Sequence, residues 1–94
     1  TYSAYTIDLN GDDIYYLFDW DDGEMSGWIG PYQSGDVCNE THLWKEEGIY
    51  DIKVKAKDTH GEESEWSEGL IISIPKNNML FFNLFRFLLD SVTK

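Results

Sequence analysis

Apolar and polar residues alternate with a period of two along most of the chain as far as Pro75, the mark of antiparallel strands with one buried face. The rhythm is cleanest after Gly48, where Tyr50, Ile52, Val54 and Ala56 fall on one side and Asp51, Lys53, Lys55 and Lys57 on the other. A strand with that pattern has one dry face and one wet face. Ile14 to Trp20 predicts another strand, with Tyr16, Phe18 and Trp20 inward and Tyr15, Leu17 and Asp19 outward. Thr1 to Leu9 predicts an opening strand, stopped by Asn10-Gly11-Asp12-Asp13. An Asn-Gly pair between apolar runs signals a hairpin, because both central positions of such a turn need positive φ. Asp21-Asp22-Gly23 turns the chain again, Met25 to Trp28 predicts a short strand, and Gly30-Pro31 and Ser34-Gly35 predict loops. Asp36 to Trp44 is expected to turn Cys38, His42 and Trp44 inward, and a last strand from about Glu65 to Ile74 to turn in Leu70, Ile72 and Ile74. Pro75 ends it, since proline cannot donate to a ladder.

Short strands spaced by turn signals, with no helical period among them, predict an all-β sandwich over residues 1–75. The period changes afterwards. Between Asn78 and Lys94, Asn83, Arg86, Asp90 and Thr93 recur three and four apart, with Met79, Phe82, Phe85, Leu88, Leu89 and Val92 around the rest. That spacing predicts a short amphipathic helix in segment 76–94. Its broad apolar face, carried by Phe82, Phe85, Leu88 and Leu89, needs something to lie on: its own sandwich, a neighbouring copy or a membrane interface. The longest apolar stretch, Met79 to Leu89, is broken by Asn83 and Arg86 and is too short for a transmembrane span.

Composition narrows the function classes. Ninety-four residues hold one domain, and 16% aromatic side chains supply the bulk that so small a core needs. Eighteen acids against seven bases give a charge of −11, which repels phosphate backbones and anionic membranes, so nucleic acid is not an expected partner. Cys38 is the one cysteine, which rules out an internal disulfide and any multi-cysteine metal site and fits a small buried hydrophobe. The chain opens on Thr1 inside what reads as a strand, so further sequence is expected upstream. The two histidines are far apart in sequence and there is no Gly-x-Ser-x-Gly elbow, so no catalytic constellation assembles and no enzyme is expected.

The segments Leu17-Phe18-Asp19-Trp20-Asp21-Asp22-Gly23, Thr41-His42-Leu43-Trp44, and Gly48-Ile49-Tyr50-Asp51-Ile52 leading to Asp58 and Gly61 together resemble the polycystic kidney disease (PKD) domain family. That family's pattern is an aromatic-Asp-aromatic-Gly-Asp-Gly turn, a Thr-His-aromatic strand, and a Gly-x-Tyr-x-Val strand running to Asp and Gly. Order and spacing match over about Asp8 to Ile74, and Asp8-Leu9-Asn10-Gly11-Asp12 echoes the lead-in of the PKD-like repeats of archaeal and bacterial cell-surface proteins. The resemblance implies an immunoglobulin-like β-sandwich that acts as a noncatalytic structural or protein-interaction module, extracellular or at the cell surface. It also implies a hydrogen-bonded structural role for His42. Two departures matter. Asp21 stands where the family turn has glycine, which implies a less free backbone there. The family's N-terminal strand is missing, which would leave one sheet edge unpaired, open to another chain or in need of a cover, for which the C-terminal segment is one candidate.

A few residue groups carry chemistry of their own. Asp8, Asn10, Asp12 and Asp13 put several hard oxygens in one loop, with Asp22 and Asp58 near it if the turns gather at one end of the sandwich, a candidate metal site whose ion would be calcium. The loop is not an EF-hand, because its sixth position is Asp13 and its twelfth is Asp19. The plainer reading is a solvated turn held by Asx hydrogen bonds. Trp28, Tyr32 and Trp66 could line a sugar platform, or could simply pack; Trp66, inside Ser64-Glu65-Trp66-Ser67-Glu68, could lie over one of the strand lysines. Asn39-Glu40-Thr41 is an N-glycosylation acceptor pattern. The leading expectation is a module that meets a protein partner or a neighbouring copy through its C-terminal helix or open sheet edge, with no cofactor. The second is an accessory carbohydrate- or calcium-binding module of a secreted hydrolase.

Overall fold

A computed structural model describes residues 1–75 and the backbone of Phe85–Leu88. The strands are β1 (Tyr2–Tyr5), β2 (Ile14–Asp19), β3 (Ile29–Tyr32), β4 (Cys38–Glu40), β5 (Gly48–Asp58), β6 (Leu70–Ile74) and β7 (Phe85–Leu88). They form two sheets, ordered β4-β1-β7 and β3-β2-β5-β6. This is the all-β sandwich that the alternation predicts, of the immunoglobulin-like kind that the resemblance implies. Among the described residues no helix is long and apolar enough to cross a membrane.

The core lies where the inward faces meet. Tyr16, Phe18 and Trp20 from β2 and just beyond it, and Ile52, Val54 and Ala56 from β5, are buried as expected, together with Cys38, Trp44 and Ile72. Aromatic bulk joins the layers: Tyr2 of the first sheet lies 5.7 Å from Trp20 and 5.8 Å from Trp44, and Trp20 stacks on Phe18 at 5.0 Å. The buried polar tips have partners. The Trp44 indole N–H donates to the Trp20 carbonyl at 3.0 Å, and the Thr6 N–H donates to the Tyr16 hydroxyl at 3.0 Å. Cys38 is buried and acts as packing; burial pushes its thiol up, against the lowering effect of a hydrogen bond with Tyr32.

Four expectations change. The Asn10-Gly11 turn exists, with Gly11 at φ 75°, but it closes no hairpin: β1 pairs with β4 and β7, while β2 pairs with β3 and β5. Turn chemistry reverses the chain without choosing the sheet in which the next strand is placed. Met25 makes only an isolated bridge to Asp19, and the strand forms later, through Gly30-Pro31. Proline is tolerated there because β3 lies at a sheet edge. Gly30 is needed at that point, since a Cβ on it would come within 2.8 Å of the Ile14 carbonyl oxygen. The last strand starts at Leu70 rather than near Glu65.

The fourth change concerns the C-terminal segment. Phe85–Leu88, expected inside a helix, is a strand hydrogen-bonded parallel to β1, in register from Tyr2↔Phe85 to Tyr5↔Leu88. The rest of that helix, Phe82 and Leu89 included, lies outside the described residues. The edge of β1 expected to be unpaired is therefore paired. Exposed main-chain donors and acceptors on a strand edge outweigh a local helical period when the segment can reach them.

One edge is completed without a strand. β6 pairs with β5 only over Gly48 to Ile52. Beyond it, Ser67 donates its N–H to the Val54 carbonyl at 2.8 Å and accepts the Val54 N–H on Oγ at 3.0 Å. Ser64 treats Ala56 in the same way, at 2.8 and 2.9 Å. Ser26 does so for Phe18 on β2, at 2.9 Å in both bonds. Each serine acts as a one-residue strand.

Candidate functional site

Two turns of this fold share one device. Asp8 Oδ1 accepts the N–H groups of Asn10 and Asp12, at 2.7 and 3.3 Å, while Gly11 N–H donates to the Asp8 carbonyl at 2.9 Å. Asp58 Oδ1 accepts the N–H groups of His60 and Glu62, at 2.8 and 3.0 Å, while Gly61 N–H donates to the Asp58 carbonyl at 3.2 Å. Both aspartates are buried, and both turns use a glycine in the left-handed region at the fourth position. A carboxylate that accepts two main-chain donors locks such a turn.

Because β2 and β5 run antiparallel with Ile14 opposite Asp58, the two turns meet at one end of the sandwich. There Asp12, Asp58 and His60 each offer a ligand atom within 4.8 Å of the others. His60 Nδ1 lies 3.0 Å from Asp12 Oδ2, within ion-pair reach but without hydrogen-bond alignment. Of the loop expected to hold a metal, Asp12 joins this group, Asp8 anchors the turn, Asn10 is exposed and gives its main-chain N–H to Asp8, and Asp13 is exposed. Two carboxylates and an imidazole can coordinate a divalent cation.

Of the two acids expected near that loop, Asp58 is there but Asp22 is not: Asp22, Glu24 and His42 form a second group beyond the other end of β2, because the turn after β2 opens at the opposite end of the strand. His42 stacks on Trp20 at 4.7 Å, meets Trp44 edge-on at 4.7 Å, and has Nε2 2.7 Å from Asp22 Oδ2. Burial pushes the Asp22 carboxyl up, but hydrogen bonds from His42 and from the Glu24 N–H outweigh it and hold the group below its ordinary value. His42 thus has the hydrogen-bonded structural role that the resemblance implies. The neighbouring Asp21 adopts φ 64°, a conformation that aspartate tolerates better than most residues, and its Oδ2 accepts the Asp51 N–H at 2.9 Å. Glycine at that position could not make the bond.

The outer face of the second sheet carries aromatics, and lysines lie over them. Lys55 Nζ lies 4.7 Å over Trp66 and 5.9 Å over Trp28, and Lys57 Nζ lies 4.4 Å over Trp28 and 5.8 Å over Tyr15. Lys55 also pairs with Glu63 at 2.8 Å. Tyr32 packs edge-on against Tyr16 at 5.9 Å instead of joining the row. Trp66 over a lysine is as expected. The serine devices and the buried role of Asp58 were missed. Asp58 had a readable signal, because Asp58-Thr59-His60-Gly61-Glu62 repeats the acid-x-x-Gly-acid spacing of Asp8 to Asp12.

Comparison with known proteins supplies the family. No curated protein matches the chain. The PKD domain family profile matches residues 1–69. A solved structure, the PKD domain of an M14-like peptidase from Thermoplasmatales archaeon SCGC AB-540-F20, is 43% identical, with a TM-score of 0.70 over 77% of this chain and 73% of that one. Profile, fold and identity agree, and the chain belongs to the PKD domain family, a family of noncatalytic structural modules.

Proposed function

We propose that this PKD domain is a protein-interaction module of an extracellular or cell-surface protein, and that it meets its partner, an adjoining domain or a second copy, through the open edge and outer face of β6. One observation carries the reading. β6 is the outermost strand of its sheet, its sequence Leu70-Ile71-Ile72-Ser73-Ile74 has no charge, and it holds Ile71 71% exposed beside Ile49 at 74%. Ile71 faces Asp51 across the ladder, so Ile49 is its diagonal neighbour on the same face, about 7–8 Å away. Edge strands of solitary domains are normally blunted with charge or proline. Neither is present along this one.

The test is association with and without Ile71→Lys, measured by light scattering on the isolated domain and on the domain joined to its natural neighbour. Ile71 is exposed, so the substitution should leave the unfolding midpoint nearly unchanged and weaken association. Equal association of wild type and I71K would remove β6 as the contact.

A second reading is favoured by the carboxylates at the turn-bearing end. Asp8 Oδ2 and Asp12 Oδ2 are both buried without a hydrogen-bond partner among the described residues, and Asp12 adjoins Asp58 and His60. The similar PKD domain belongs to an M14-like peptidase. On this reading the domain is an accessory module of a secreted hydrolase, and a divalent cation such as calcium ties its two turns together. Calorimetry with calcium at millimolar concentration should give heat that Asp12→Asn abolishes; no heat with wild type would dispose of it.

A further inference from the structure

We infer that Asn39 is the acceptor of an N-linked glycan, and that the sugar shields the β4 edge of the first sheet. The triplet Asn39-Glu40-Thr41 supplies the amide, a central residue that is not proline, and the hydroxyl two residues on that acceptor recognition requires. The fold presents all of it outward. Cys38 is wholly buried, so alternation along the strand turns Asn39 away from the core, and both Asn39 and Thr41 are exposed. β4 has only three residues, is one of the two outer strands of its sheet, and pairs with β1 through Tyr2↔Glu40, Ser3↔Asn39 and Ala4↔Cys38. Irregular chain follows from Thr41 to Glu47. A transferase can approach such a strand end without opening the core.

The chemistry needs a donor from outside the chain, an oligosaccharide linked through phosphate to a polyprenyl lipid. The Asn39 amide nitrogen forms a bond to the anomeric carbon, the bond from that carbon to the phosphate oxygen breaks, and the lipid phosphate leaves with the electron pair. The proton lost by the amide goes to the leaving phosphate. The result bears on how the domain manages its edges. β4 is one of the two outer strands of its sheet, so a glycan on Asn39 would hinder strand addition at that edge. β6, in the other sheet, would stay open for the contact proposed above.

The inference rests on the extracellular reading, so export is supplied in the test. The full chain is expressed behind a secretion signal in a yeast that glycosylates asparagine, and the secreted and retained fractions are both analysed. Wild type should carry added mass that an N-glycosidase removes, leaving aspartate at position 39. Asn39→Gln and Thr41→Ala should lose that mass, and Thr41→Ser should keep it, with thermal unfolding confirming that each variant is folded. An unmodified Asn39 in folded wild type, or a glycan that survives in T41A, would overturn the inference. Neither result touches the extracellular reading, which is judged separately from where the natural protein is found.

Discussion

Ser67 and Ser64 complete the edge of β5 where β6 falls short, and removing their hydroxyls tests whether single serines do the work of a strand. In Ser67→Ala the main-chain bond from residue 67 to the Val54 carbonyl survives, but the Val54 N–H loses its acceptor. Val54 is 0% exposed, so the orphaned donor is not readily hydrated. An ordinary hydrogen bond contributes about 1 kcal/mol net, whereas a buried donor left without a partner costs roughly 1–3 kcal/mol. The serine hydroxyl also donates to the Glu68 carbonyl at 3.0 Å, an exposed group that water replaces at little cost. A loss of about 2 kcal/mol is expected, which for a domain of this size lowers the melting temperature by roughly 8–16 °C. Ser64→Ala should behave alike at Ala56, and the double variant should come close to the sum, because each serine serves a different residue. Ser73→Ala, at an exposed site, should stay within about 0.5 kcal/mol of wild type. Tryptophan fluorescence during urea unfolding gives the energies, and amide exchange at Val54 and Ala56 gives the site. If S67A unfolds at the wild-type midpoint with the Val54 amide still protected, the serine is decoration and the edge is held by something else.

Gly69 is closely covered by the Asp51 side chain, and a Cβ there would overlap the carboxylate. Gly69→Ala should cost about 1–3 kcal/mol, and pairing it with Asp51→Ala should recover part of the loss in a double-mutant cycle read by urea unfolding. Asp22 is held below its ordinary value of 3.8, so its contribution to stability is present above that pH and fades as pH falls through the lowered value. Asp22→Asn should therefore be less stable than wild type at pH 6, with the gap closing below pH ~3.8 in pH-dependent melting. The Tyr16 phenol is raised from 10.0 to about 12, chiefly by burial, so the stability it lends as a neutral group is intact below pH 10 and lost as pH climbs through about 12. Tyr16→Phe should flatten the alkaline fall in stability across that window while losing the acceptor for the Thr6 N–H.

How much of this was legible follows from the range of the interaction that fixes each element. The inward sets of β2 and β5 were readable because alternation is a local rule, and burial of Tyr16, Phe18, Ile52, Val54 and Ala56 obeys it directly. The C-terminal segment was readable as a candidate cover for the open edge, but not as a strand, because the side-chain spacing of Phe85–Leu88 fits a helix while its main chain answers a vacant edge far away in sequence. The edge serines escaped for a related reason. Ser64 and Ser67 look like loop residues until the end of β6 shows which β5 groups still need partners. Pro31 misled in the opposite direction, since its meaning depends on whether the strand lies inside a sheet or at its rim.

The candidate cation site shows the same logic in energetic terms. Read as a list, Asp8, Asn10, Asp12 and Asp13 look like ligands. In the fold, the Asp8 carboxylate already holds two main-chain donors, as the Asp58 carboxylate does in the matching turn. A hydrogen bond contributes about 1 kcal/mol net, so an ion that pulled either Oδ1 away would have to offset two of them. A cation is therefore best held by oxygens the turns do not use, and Asp12 is the one residue of the expected loop that the fold brings to Asp58 and His60. The consequence separates two roles that the sequence runs together. Asp12→Asn should remove any cation binding while the turn keeps its Asp8 bonds, whereas Asp8→Ala should weaken the fold with or without an ion, because it takes away the lock itself.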